Sequence, residues 1–427
     1  MDKKSSESHG SNQKIRIQRY LPFKLVNFFD SRTSRTRFLI LKRTTNTPVK
    51  AASVIEEHLQ HKHDSQNSVK AHLSHLLYLY TWADEHGYDL DTWLLTGEAL
   101  SSPQIRSFGS WLRSYFCENG STLSHTRKKT FNATISYCCQ TSMWFVSQFA
   151  RLESSNTQRA LDIAVIKDAQ ESMWKSVKLL VKDDDAAPDM TEEEIRKVEQ
   201  FLKPQNRATK LNEQIVYRDY LIWRLVIEFG MRIGEVLALR LEDCPTRNSP
   251  YFRIIRIEQR GTDYHDPRKN PPRPKTRSRD LGILLRNSAF PVLTNDFITE
   301  HRFVRKEVKG RNIKQFLLPH NFLIIAESGD PLSISSVEDI AKTIRENTGL
   351  DFHWHLARHA FFNRAYAAIT QIQDKDQKAA KIQDLVVYGG WSSEKSLEIY
   401  TRRARKERAR LALNFWQTGE SSWTALD

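Results

Sequence analysis

Four short segments in the second half of the chain hold polar side chains in settings that plain packing does not call for. The first is Phe229-Gly-Met-Arg-Ile-Gly-Glu-Val-Leu-Ala-Leu239, where Arg232 stands at a helix break among apolar residues, three positions before Glu235. A guanidinium in such surroundings needs an anion. A helical Arg232–Glu235 pair, worth roughly a few tenths of a kcal/mol, is the plainer alternative. The second is His353-Trp-His-Leu-Ala-Arg-His359, whose His355 and Arg358 are three apart and so share one helical face. That face offers an imidazole and a guanidinium fork to one anionic group. The third, Pro274-Lys-Thr-Arg-Ser-Arg279, places Lys275 on a connection able to swing over a backbone. The fourth runs from Gly390 and Trp391 to Tyr400 on a short helix, just before the basic run Arg402-Arg403-Ala-Arg405-Lys406.

These residues depend on an α-rich domain with a small sheet. An apolar helix is predicted over 213–229, broken near Gly230. Residues 251–257 alternate as a strand and 281–285 can return as its partner, with a basic, proline-rich connection between them. Further helices are predicted near 292–308, 334–346, 355–369, 375–387 and 393–412. Thr191 with Glu194 three residues on, ahead of Ile195, Val198 and Leu202, reads as a capping box that opens this domain. Before it, 183–190 is an acidic, proline-containing linker. Residues 51–182 read as a helical domain. In it Leu73, Leu76, Leu77, Tyr80 and Ala83 recur at helical spacing, and a long helix over 123–149 begins with Arg127, Lys128 and Lys129. Residues 1–50 form a basic extension, and 191–427 the second domain with its tail.

The 427 residues carry 65 Lys and Arg against 51 Asp and Glu, a formal charge of +14. The surplus is concentrated: 12 against 3 in residues 1–50, 9 against 4 in 251–280, and 6 against 1 in 401–410. Separate basic blocks suit a long phosphate backbone better than a uniform solubility coating, although basic runs are often only solvated faces. No apolar stretch is long enough to predict a membrane span, and the N-terminus does not read as a secretory signal. The four cysteines (Cys117, Cys138, Cys139 and Cys244) form no repeated CxxC, which argues against a disulfide scaffold or thiolate zinc module and suits a reducing cytosol. His58, His61 and His63, and His72 with His75, have metal-like spacing, but no cysteine or carboxylate completes either set, so no metal site is expected.

The order GMRIGEVLALRLED, a hairpin lysine, HLARHAFF, then Gly-Trp with a tyrosine nine residues after the tryptophan resembles the tyrosine recombinase, or phage integrase, family. The motif-bearing resemblance covers about 190–410, and residues 51–180 resemble the family's helical core-binding domain in pattern. The resemblance implies Arg232 and Arg358 as the catalytic arginines, Glu235 as their acidic support and His355 as the histidine of the HxxR pair. Lys275 becomes the hairpin lysine, with Lys269 the alternative in this unusual proline-rich connection. Trp391 takes the His/Trp position, in Gly389-Gly390-Trp391 where the family more often has Leu-Gly-His, and Tyr400 is the nucleophile.

The implied fold is mainly α with a small antiparallel sheet: a helical core-binding domain and an α+β catalytic domain closing as a clamp on duplex DNA. The implied activity is site-specific strand exchange through a 3′-phosphotyrosine, without metal or other cofactor, by an enzyme of a mobile element. A homotetramer on paired sites is implied, with a helper recombinase or accessory DNA-bending proteins, in the cytoplasm of a bacterial host and at its nucleoid. Arg127, Lys128, Lys129, Arg277, Arg402 and Arg403 are expected to hold the duplex. The segment Leu411–Trp416 can dock on a neighbouring protomer or cap its own domain. A non-catalytic DNA-binding protein on the same fold and a type IB topoisomerase-like enzyme are the competing readings.

Overall fold

The computed structural model describes residues 21–418 apart from 34, 64, 118–121, 151–155, 182–188, 208–211, 247–248, 262–263, 269–270, 275–276, 283–288 and 309–310. Most of the expected linker, the first 20 residues, Lys269 and Lys275 therefore lie outside the described residues, as do the side chains beyond Leu411. The fold is mainly α with three small antiparallel sheets among the described residues. The chain separates into two compact units between Asp183 and Asp184. No helix among the described residues is long and apolar enough to cross a membrane.

The first unit opens with a hairpin, β1 (Phe23–Asp30) and β2 (Arg35–Lys42), paired from Phe23↔Lys42 to Asp30↔Arg35. It belongs to the stretch that the sequence sets apart as a basic extension. Its Phe23, Phe38 and Ile40 nevertheless enter the same core as the helices, because inward positions alternate with outward ones along a strand. Arg37 on the hairpin pairs at 2.6 Å with Glu56, which is buried in α1 (Lys50–Lys62). The remaining helices are α2 (Gln66–Glu85), α3 (Leu90–Thr96), α4 (Ser102–Phe116), α5 (His125–Phe149) and α6 (Asn156–Ser176). Leu73, Leu76, Leu79 and Trp82 of α2 pack with Phe108, Phe131, Ile135 and Phe145. The α1 N-terminus is capped from a distant segment: the Asp91 carboxylate accepts the Lys50 and Ala51 N–H groups at 2.9 and 3.1 Å and the Tyr80 hydroxyl at 3.0 Å.

In the second unit the expected capping box forms. The Glu194 N–H donates to Thr191 Oγ1 at 3.2 Å and the Thr191 N–H donates to Glu194 at 2.7 Å, opening α7 (Glu192–Leu202). A single turn, α8 (Pro204–Arg207), leads to α9 (Glu213–Phe229), whose Leu221, Ile222, Trp223, Leu225 and Val226 form the centre of the core. The short α10 (Ile233–Ala238) follows. Strands β3 (Tyr251–Ile254) and β4 (Arg279–Gly282) pair antiparallel from Tyr251↔Gly282 to Ile254↔Arg279. The pairing stops earlier than expected because the Arg256 N–H is taken by the Ser278 hydroxyl at 2.9 Å, and residues 257–259 turn as a 3₁₀ helix.

A helix over 292–308 is not found. Helix α11 (Ala289–Asp296) ends in a π turn at Phe297–His301, and β5 (Val304–Val308) pairs with β6 (Arg311–Gln315). The β-branched Val304, Val308 and Ile313 and the absence of a helical apolar face favour the extended form. Three helices complete the unit as the spacing predicts, α12 (Ile334–Thr348), α13 (Trp354–Thr370) and α14 (Lys375–Tyr388), and α15 (Glu394–Thr418) packs on α13.

The long connection from β3 to β4 is fastened by its own arginines. Arg260 pairs with the fully buried Asp243, and Arg268 pairs with Asp266 at 2.7 Å while also donating to the Leu237 and Leu332 carbonyls at 3.0 and 2.9 Å. Arg240 lies 4.5 Å over the Tyr264 ring. Part of the basic surplus in 251–280 is thus spent inside the protein rather than presented to a partner.

Candidate active site

Helix α9 ends at Gly230, in the left-handed conformation at φ 58°. A side chain there would be strained, and its Cβ would lie 2.4 Å from the Phe361 ring. The reversal puts Arg232 at the N-cap of α10. The Arg232 N–H donates to Glu235 at 2.9 Å and its Nη1 to the same carboxylate at 3.2 Å, so the local Arg–Glu pair does form. That pair is one part of a larger cluster, because Arg232 Nη1 also donates to the Gly389 carbonyl at 3.3 Å.

Arg358 arrives from the first turns of α13 and is only 1% exposed. It donates to the Gly230 carbonyl and, at 3.2 Å, to the Gly389 carbonyl. Its guanidinium lies 4.7 Å from the Phe362 ring centre and 5.2 Å from those of Trp391 and Tyr400. Its Nε has no hydrogen-bond partner among the described residues. Burial, and then repulsion from Arg232, lower the Arg358 pKa to about 10.

Glu235 is buried in the midst of these cations. Burial works to raise its carboxyl, but Arg279 first, then Arg358 and Arg232, overcome it and hold the pKa at about 2. Three guanidiniums and one carboxylate leave the cluster short of anions. A cleft of ≈ 380 Å³ opens beside it, lined by Arg232, Gly234, Arg273, Glu338, His355 and Arg358 among others.

Tyr400 sits two turns into α15, anchored by the fully buried Leu397, and is 8% exposed. Rings enclose its phenol. His355 and Phe362 meet it edge-on at 5.3 and 5.6 Å, Trp391 lies tilted against it at 4.8 Å, and His359 stacks on it at 4.4 Å. Its side chain also interacts with the Arg358 guanidinium. His355 keeps an edge open to solvent, and partial desolvation, then the charge of Arg358, lowers its pKa. His355 is therefore neutral at neutral pH and able to take a proton. Trp391 folds back over Gly389, where a Cβ would lie 2.3 Å from the indole ring. In this position it acts as a flat wall against Tyr400 and Arg358.

The structure thus brings Arg232, Glu235, His355, Arg358, Trp391 and Tyr400 together, from α10, α13, the turn after α14, and α15. Lys275 and Lys269 lie outside the described residues. Arg277 is exposed, one residue past the undescribed pair 275–276. Arg402 is exposed, whereas Arg403 donates to the Met190 carbonyl at 3.0 Å and pairs with Asp189 at 3.4 Å, tying α15 to the start of the unit. In the first unit, Lys129 is exposed and Lys128 half-buried; Arg127 donates to the Phe116 carbonyl at 2.9 Å.

Two members of the cluster escaped the sequence reading. Arg279 lies two residues before the buried Leu281 in β4 and so shares its inward face, a position where a guanidinium demands an anion. His359 lies one helical turn after His355 on the same face. Strand and helix periodicity carried both signals. The same cleft adds Arg273, which no periodicity singled out.

The model of the phage integrase family matches residues 189–407, just over half of the chain. Transposase A from transposon Tn554 of Staphylococcus aureus is 24% identical over 306 residues, covering 71% of this chain and 76% of that protein. Among solved structures, the XerH site-specific recombinase bound to a palindromic difH substrate in a post-cleavage complex is 16% identical, with 82% of this chain and 80% of that chain covered and a TM-score of 0.49. A lambda integrase dimer bound to a COC′ core site is 12% identical, with 88% and 91% covered and a TM-score of 0.34.

Proposed function

Because the chain belongs to the phage integrase family, we propose that it is a site-specific tyrosine recombinase of a mobile element, with Tyr400 as the nucleophile. The observation that carries this reading is the convergence of one buried phenol, two guanidiniums and a neutral imidazole beside an open cleft. Binding alone calls for no buried tyrosine among such partners.

In the reaction, the Tyr400 oxygen attacks the scissile phosphorus while His355 accepts the phenolic proton. Arg232 and Arg358 donate to the two non-bridging oxygens, where negative charge grows in the transition state. The bond to the 5′-oxygen breaks, and Lys275 supplies the proton that makes it a hydroxyl. The product is a 3′-phosphotyrosine, whose stored bond energy lets the 5′-hydroxyl of another strand reverse the step without ATP. The partner is duplex DNA, held by the exposed lysines and arginines, and strand exchange takes place in a homotetramer on paired sites, with accessory DNA-bending proteins or a helper recombinase. That a transposon protein is among the relatives supports the mobile-element assignment.

The test is a duplex nicked just beyond the scissile phosphate, so that the cut fragment diffuses away and the adduct is trapped. Wild type should form a covalent protein–DNA adduct resistant to denaturant, and Tyr400→Phe should not. An adduct with Tyr400→Phe would reject this nucleophile. Binding without an adduct on any site would favour the non-catalytic reading, and relaxation of supercoils by a monomer the topoisomerase-like one.

A further inference from the structure

Arg279 is 7% exposed at its side chain and faces Glu235, which is fully buried. Its Nη1 and Nη2 donate to the two Glu235 oxygens at 3.1 and 2.9 Å, and its Nε donates to the Tyr388 carbonyl at 2.6 Å. One guanidinium therefore joins three segments: the start of α10, strand β4 and the end of α14. What it holds matters more than the pairing itself. Glu235 orients Arg232 through both its backbone and its Nη1. The next residue, Gly389, presents the carbonyl that accepts from both Arg232 and Arg358.

We propose that Arg279 is a positioning residue for strand cleavage, one that sets the two phosphate-facing arginines through Glu235 and the Tyr388–Gly389 peptide. The proposal rests on the recombinase reading above. Its Nε and both terminal nitrogens already face protein acceptors, so Arg279 acts through Arg232 and Arg358 rather than on the phosphate. A planar fork that satisfies a carboxylate with two nitrogens and a carbonyl with the third has no equivalent in lysine. Small displacements of groups that must meet a phosphate in line cost large factors in rate, while affinity spread over many phosphates barely changes.

The experiment compares wild type, Arg279→Lys and Arg279→Ala on the nicked duplex. It measures DNA affinity, the single-turnover rate of adduct formation and the thermal midpoint of each protein. Both variants should bind with affinity close to wild type and form adduct roughly 30- to 100-fold more slowly, lysine restoring only a small part of the rate. A second substrate carries a methylphosphonate at the scissile position, which removes one charged oxygen and with it part of the work of Arg232 and Arg358. On it the gap between variant and wild type should shrink by about tenfold. Equal losses on both substrates would mark Arg279 as a structural ion pair and overturn the proposal, as would an unchanged rate in either variant. Should the alanine variant fail to fold, the lysine variant decides. If wild type itself forms no adduct on the phosphate substrate, the recombinase reading falls, and the proposal with it.

Discussion

The imidazole of His359 lies stacked on the phenol of Tyr400, with ring centres 4.4 Å apart and planes inclined by 26°. Burial first, then neighbouring His355 and Arg358, lower the His359 pKa to about 3. A neutral ring thus covers one face of the Tyr400 phenol. Replacement of His359 by alanine should open a cavity under Tyr400 and destabilise the protein by roughly 2–3 kcal/mol. His359→Phe keeps a flat ring against the phenol but loses the polar imidazole, so it should recover most of the stability and less of the cleavage rate. Thermal unfolding and single-turnover adduct formation separate the two effects.

Acid should unfold the protein, and the sign follows from the histidines. His72, buried and 2.7 Å from the Thr141 hydroxyl, is lowered by burial to about 4, and His359 to about 3. Both ordinarily titrate near 6.5, so between that value and their folded values the unfolded chain binds more protons. Stability is therefore complete above about pH 6.5 and declines as the pH falls toward 3–4, by roughly 1.4 kcal/mol per pH unit for each histidine within its window. Glu235, held at about 2 by Arg279, Arg358 and Arg232 against the effect of burial, adds a loss of the same sign at lower pH. Denaturant midpoints at pH 7.5, 6 and 5 should fall in that order. His72→Gln should flatten the decline.

Arg232 should divide cleavage from binding. Its side chain is 21% exposed at the cleft, and it is one cation among many that can meet a duplex. Arg232→Ala should slow adduct formation by about 10²–10³-fold, the usual cost of removing one preorganised donor from a developing anion. DNA affinity should fall only several-fold, and the slope of affinity against salt should change by no more than about one counterion. Titrations at several salt concentrations, run beside the adduct assay, check both.

In the first unit, Asp91 should matter for stability alone. Its carboxylate caps the N-terminus of α1 and holds the Tyr80 hydroxyl, so Asp91→Ala should cost about 1–2 kcal/mol. Asn can still accept from backbone N–H groups, so Asp91→Asn should lose less. Thermal unfolding of the full chain reads the difference.

Local chemistry determined much of this protein in advance. The capping box at Thr191 and Glu194, the glycine that stops α9 and the apolar spacing of α2, α9 and α12 act within a few residues, so the sequence alone locates those helices. It also sets the order of Arg232, His355, Arg358, Trp391 and Tyr400, which carried the family resemblance and the reading of the site. What it could not determine is which cations are consumed and by which partners. Arg279 meets Glu235 across 44 residues and Tyr388 across 109, and Arg268 reaches Leu332 across 64. Composition counts such arginines as surface charge for a polyanion. Only the tertiary structure separates them from those left for DNA, because a guanidinium's partner is chosen by three-dimensional proximity in a buried setting and not by spacing along the chain. The same reason explains the misread stretch at 304–308, where pairing with 311–315 satisfies the backbone and no local apolar period announces it.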